Sequence, residues 1–96
     1  MELEQLVISQ REKIVFIAHK NGARDVRIFG SVARGDSNTN SDIDFLVNLE
    51  AGRSLLDLAR LLRELQTLLG HKVDIVTEAG LRPRIRAWVL EEARLI

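Results

Sequence analysis

The feature that most restricts how this chain can fold is a leucine stripe set between two short runs of branched and aromatic residues. Leu55, Leu58, Ala59, Leu62, Leu65 and Leu69 recur at helical spacing, and Gly70 stops the pattern. Ahead of the stripe, residues 42–48 hold Ile43, Phe45, Leu46 and Val47; behind it, residues 72–77 hold Val73, Ile75 and Val76. Both runs have the length and composition of strands. A helix that crosses between parallel neighbouring strands runs right-handed. That arrangement would bring Asp74 in the later run beside Asp42 and Asp44 in the earlier one. An antiparallel pairing of the same strands is left open by the residues alone.

The flanking segments continue the alternation. Leu3, Leu6, Val7, Ile14, Ile17 and Ala18 predict one amphipathic helix over residues 3–20, ended by Asn21-Gly22. Val26 and Ile28 alternate with Asp25 and Arg27, which predicts a first strand over residues 24–29. Residues 30–41 form a loop rich in Gly, Ser and Asn, with room for one helical turn at residues 31–34. Ala51-Gly52 make a turn. Pro83 suits the first turn of a last helix reaching about Ala93, along which Ile85, Val89 and Ala93 step by four, with Trp88 beside them read as core rather than as an interface anchor. The order predicts an α/β (α+β) fold, a small mixed β-sheet with helices packed on it, in a single domain over residues 1–96.

Bulk properties narrow the functional classes. Cysteine is absent, so disulfides and thiolate metal sites are excluded and a reducing cytoplasm is expected. The formal net charge is +0, which gives no basic footprint for direct nucleic-acid binding. No apolar run approaches the roughly 20 residues that span a bilayer. Residues 1–5 lack the basic start of an export signal.

Against that neutral background, two motifs carry chemistry. Gly30-Ser31 directly follows the first strand, where small residues let backbone N–H groups approach an anion. A helical turn opening at Ser31 would add favourable potential for phosphate, and its hydroxyl one more donor. Arg34 can contact phosphate, or be held by Asp36 or Asp42 as a structural partner. Asp42 and Asp44 project to one side of their strand, with Cα atoms about 7 Å apart. Carboxylates so placed can converge on cations about 3.5–4 Å apart, the spacing of in-line displacement at phosphorus. Oxygen donors without Cys or clustered His favour magnesium, with two ions expected. Asp74, read among Val73, Ile75 and Val76 as a buried carboxylate, would be costly without a cation to offset it. It would either ligate metal or act as base toward an attacking hydroxyl. Phosphate-holding backbone and metal-holding carboxylates together point to nucleotidyl transfer.

Gly30-Ser31, the ten residues 32–41, Asp42-Ile43-Asp44 and the later Asp74 resemble the nucleotidyltransferase superfamily related to DNA polymerase beta. Ala33-Arg34-Gly35 and Ser41-Asp42-Ile43-Asp44 look like its minimal nucleotidyltransferases, encoded as antitoxins beside an all-helical HEPN ribonuclease toxin. The resemblance implies Asp42 and Asp44 as metal ligands, Asp74 as the third acidic residue and Gly30-Ser31 as the triphosphate clamp. It further implies ATP as substrate, AMP transfer to a hydroxyl with pyrophosphate release, and a toxin tyrosine as acceptor. This chain has no tyrosine, so such an acceptor must be on another molecule, in a hetero-oligomer. Its length leaves no room for a separate acceptor domain. Two other readings stand beside this one: an antitoxin that only masks its toxin, and transfer to a small molecule or RNA end with a partner subunit.

Other polar residues are read as structural. Gly35 permits a turn, Ser41 braces the loop and Asp36 is a solvated charge. His19 and His71 sit at element ends without ligand spacing. Arg82, Arg84 and Arg86 form a basic cluster, either solvated or directed at phosphate or an acidic partner.

Overall fold

The structure, a computed structural model, describes residues 2–96; Met1, the first residue of the expected domain, lies outside the described residues. Nine elements follow in order: α1 (Leu3–Ser9), α2 (Arg11–Lys20), β1 (Ala23–Phe29), α3 (Gly30–Arg34), β2 (Ile43–Leu49), α4 (Leu55–Leu69), β3 (Val73–Thr77), α5 (Pro83–Glu92) and β4 (Arg94–Leu95). The four strands form one sheet in the order β3-β2-β1-β4. β1 is antiparallel to β2 and β4, whereas β2 and β3 run parallel, so the sheet is mixed as expected. The sequence left the β2–β3 direction open; the structure settles it as parallel, with α4 as the crossover.

Local chemistry explains most boundaries. Ser54 and Asp57 form a reciprocal capping box at the start of α4, and Gly70 closes it in the left-handed region. Leu61, Leu65 and Leu69 are buried along α4, joined by partly buried Leu58, Leu62 and Leu68. Gly35 ends α3 in the same left-handed way, the turn role expected of it. Pro83 occupies the first turn of α5.

One core lies on one face of the sheet. Ile43, Phe45 and Val47 of β2 alternate toward it and meet Val7, Ile14, Ala18, Val32, Leu61 and Leu65. Leu46 points the other way by the same alternation, and it and Val89 of α5 are buried outside that cluster. The sheet therefore carries a large apolar layer on one side and a smaller one on the other.

Several expectations need correction. The single helix over residues 3–20 is two helices, broken at Gln10, whose backbone (φ −106°, ψ 12°) leaves helical geometry. The break lets Leu3 and Val7, then Ile14 and Ala18, reach one core from differently directed helices. Asp42 precedes β2 rather than opening it. The last helix stops at Glu92, because Ala93 is already extended and leads into β4, a strand the pattern did not announce. Trp88 is 57% exposed and not core, since Val89 is the α5 residue turned inward.

Candidate active site

Strand pairing brings two of the acidic residues together. In the parallel ladder Asp44 sits opposite Asp74, and in the antiparallel ladder it sits opposite Phe29, the residue before Gly30. Directly paired residues project to the same face, at a strand spacing of about 4.8 Å. Both carboxylates therefore stand on the face opposite the main core. Asp42, two residues before Asp44, is partly exposed and lies 3.9 Å from the Lys72 ammonium. Its loop is braced: the Ser41 hydroxyl accepts from the Asn38 N–H at 3.0 Å, and the Ser41 carbonyl accepts from a His71 ring nitrogen at 2.6 Å. His71 thus ties the approach to Asp42 to the turn before β3.

Gly30 touches this cluster closely. Its φ is +73°, and a Cβ there would collide with the Asp44 carboxylate. Glycine is required here both for its backbone angle and for the contact. Ser31 follows in the first turn of α3, partly exposed, beside the strand end that bears Asp44.

Burial is distributed differently from the sequence expectation. Asp74 is exposed, because β3 is the edge strand of the sheet and only one side of it is covered. The desolvation cost assigned to Asp74 falls on Asp44 instead. Burial first, then the negative charges of Asp74 and Asp42, push the Asp44 carboxyl up to about 6, while Arg34 pulls the other way. Asp44 is the residue that gains most from a neighbouring cation.

The donor set fits a hard divalent cation, being all carboxylate and partly solvated. Among the described residues, no group of three or more Asp, Glu, His or Cys side chains is gathered into a cation cage.

Arg34 is held by Asp36 at 3.2 Å and by Glu92 at 3.1 Å, not by Asp42. Those two carboxylates, Glu92 foremost, hold its guanidinium above its ordinary pKa. Glu92 also accepts the Gly30 N–H at 2.6 Å. The sequence reading missed Glu92; nothing local marks a glutamate at a helix end as a partner of a loop so far upstream. Arg86 is engaged with Glu78 through two hydrogen bonds, whereas Arg82 and Arg84 are exposed. Asp74 also borders a shallow cleft with Leu55, Leu58, Ala59, Leu62 and Ile75. A roomier cleft lined by Leu3, Leu6, Asn38 and His71 shares no residue with the carboxylates.

Known proteins resemble this chain in sequence and fold. Residues 11–96 match the family described as nucleotidyltransferase domain. The chain is 43% identical over 83 residues to "putative protein adenylyltransferase MJ0435" of Methanocaldococcus jannaschii, covering 86% of this chain and 89% of the relative. It is 34% identical over 91 residues to protein adenylyltransferase MntA of Thermococcus cleftensis, covering 95% and 89%. A solved structure named "putative minimal nucleotidyltransferase" superposes with a TM-score of 0.90 at 51% identity, covering 100% of this chain and 97% of that one. A toxin-antitoxin crystal structure with AMP-PNP shares the fold, with a TM-score of 0.73 at 21% identity, covering 98% and 72%.

Proposed function

The chain belongs to the nucleotidyltransferase family, and on that premise we propose that it is a magnesium-dependent protein adenylyltransferase of the cytoplasm. It acts as an antitoxin, moving AMP from ATP to a hydroxyl, a tyrosine's, of a HEPN ribonuclease toxin and thereby silencing it. The observation that carries the reading is the placement of Asp44 against Asp74 on parallel strands, with the left-handed Gly30 pressed against Asp44. The adenylyltransferase relatives support AMP as the transferred group.

In this reading the Ser31 hydroxyl and the α3 amides that follow Gly30 hold the triphosphate, with Arg34 at its edge. Asp42, Asp44 and Asp74 would hold magnesium, which when bound neutralises charge on the phosphates and lowers the pKa of the acceptor hydroxyl. The acceptor hydroxyl gives up its proton to the exposed Asp74 carboxylate or, if that is held by metal, to water, as its oxygen bonds to the α-phosphorus; the bond from that phosphorus to the oxygen bridging to the β-phosphorus breaks, and pyrophosphate departs with the electron pair. The apolar cleft beside Asp74 gives the acceptor residue a surface to lie on.

Coexpression with the toxin followed by intact mass tests the reading. The toxin gains AMP with the wild-type chain and remains unmodified with Asp44→Asn. A toxin that never gains AMP under wild-type coexpression overturns it.

A second reading is favoured by one observation. Leu55 and Leu56, at the start of α4, are 81% and 75% exposed. Such residues suit a protein contact, so the chain could neutralise its toxin by covering it. An Asp42→Asn, Asp44→Asn double variant that still protects cells would favour masking over transfer.

A further inference from the structure

Glu92 has no place in the mechanism above, yet its bonds are specific. Its Oε1 accepts the Gly30 N–H at 2.6 Å, across 62 residues of sequence, and its Oε2 accepts from Arg34 Nη1 at 3.1 Å. Its side chain is 13% exposed. One carboxylate thus closes a ring that joins the first and last residues of α3 to the end of α5. Rigid structure backs it on both sides. Val89, one turn earlier in α5, is 2% exposed, and Arg94, two residues later, pairs with Ile28 in the sheet.

From this geometry we infer that Glu92 is a positioning residue for nucleotide binding: it fixes the Gly30 peptide and the Arg34 guanidinium so that the phosphate-facing groups of α3 are set before ATP arrives. The inference rests on the nucleotidyltransferase reading of the site. One N–H makes one strong hydrogen bond, so the Gly30 amide is committed to Glu92. The triphosphate is left with the Ser31 hydroxyl and the following amides. Gly30 is pressed between two carboxylates, Glu92 at its N–H and Asp44 at its α-carbon. Releasing Glu92 frees the peptide to shift by the fraction of an ångström that phosphate recognition does not tolerate. A competing role, in which Glu92 occupies the phosphate position and leaves on nucleotide binding, would strip a nearly buried carboxylate of both partners beside Asp44.

The test compares Glu92→Ala, Glu92→Gln and Arg94→Ala in the full chain. Arg94→Ala breaks the ion pair with Glu4 in the same terminal segment without touching α3. With AMP-PNP and magnesium in a calorimeter, Glu92→Ala weakens nucleotide affinity by about tenfold or more, and in AMP transfer it raises the KM for ATP more than it lowers kcat. Glu92→Gln, whose amide oxygen still accepts from Gly30 but whose NH2 cannot accept from Arg34, falls between wild type and Glu92→Ala, and Arg94→Ala stays within about twofold of wild type. The Gly30 amide proton, observed by NMR without nucleotide, moves upfield in Glu92→Ala and little in Glu92→Gln. Unchanged affinity in Glu92→Ala, or tighter affinity, overturns the inference. So does an unmoved Gly30 amide, which decides the matter even if the wild type binds no nucleotide. A wild type that binds AMP-PNP in a Glu92-dependent way yet transfers no AMP would instead fault the proposed function.

Discussion

The two faces of the sheet are built on opposite terms. Ile43, Phe45 and Val47 point into a core in which every one of them is at most 1% exposed. One residue out of phase, Asp44 stands on the other face against Asp74, with a carboxyl pushed up to about 6 and a glycine held at φ +73° beside it. Burial on the first face stabilises the fold. Charge crowding and backbone constraint on the second cost stability and mark the proposed site. The same strand, β2, serves both because its side chains alternate.

The comparison breaks most readily from the core side. Phe45→Ala leaves a cavity under β2 and lowers stability by about 3–5 kcal/mol, enough to unfold much of so small a domain, as chemical denaturation would show. On the acidic face, Asp42→Asn or Asp44→Asn lowers the rate of AMP transfer about a thousandfold, close to 4 kcal/mol of transition-state stabilisation, while circular dichroism stays native. Gly30→Ala combines both effects on a smaller scale. A Cβ at positive φ, driven into Asp44, costs about 1–3 kcal/mol in stability and reduces nucleotide binding, measurable by melting and calorimetry.

The sharpest contrast concerns Asp44 itself. A raised pKa means that the folded state binds the proton more tightly than the unfolded chain does. Folding therefore loses stability as pH rises from about 4 to about 6 and bears the full cost above that. Partial solvent exposure reduces that cost to about 1 kcal/mol. Asp44→Asn is accordingly more stable than wild type at pH 7.5 by about that amount, a rise of some 4–8 °C in Tm, and nearly equal at pH 4 without metal. A variant that is less stable at pH 7.5 would refute the burden assigned to this residue. The smallest effect belongs to the open surface: Leu56→Ser changes stability by no more than about 0.5 kcal/mol. A toxin-binding defect in that variant would identify the start of α4 as a contact.

Much of this was legible along the chain. The α4 stripe, the alternation of β1, the left-handed glycines and the spacing from Gly30-Ser31 to Asp42 and Asp44 all express local periodicity or local backbone demand. The errors share a different cause. Asp74 was expected to be buried because its neighbours are apolar, yet an edge strand is covered on one side only. Trp88 is read from the sequence as core, but helical rotation turns its neighbour Val89 inward and leaves Trp88 exposed.

By itself, then, the sequence marked α4, α5 and the three longer strands and singled out the residues proposed to hold phosphate and metal, since those readings depend on neighbours a few positions apart, but it missed the break at Gln10 and the strand β4. Only the tertiary structure decided that β3 lies parallel to β2 at the sheet edge, that the electrostatic cost rests on Asp44 rather than Asp74, and that Glu92 reaches Gly30. Each of those depends on which distant segments meet, and long-range pairing is set by packing the whole chain around one core, which no local pattern encodes.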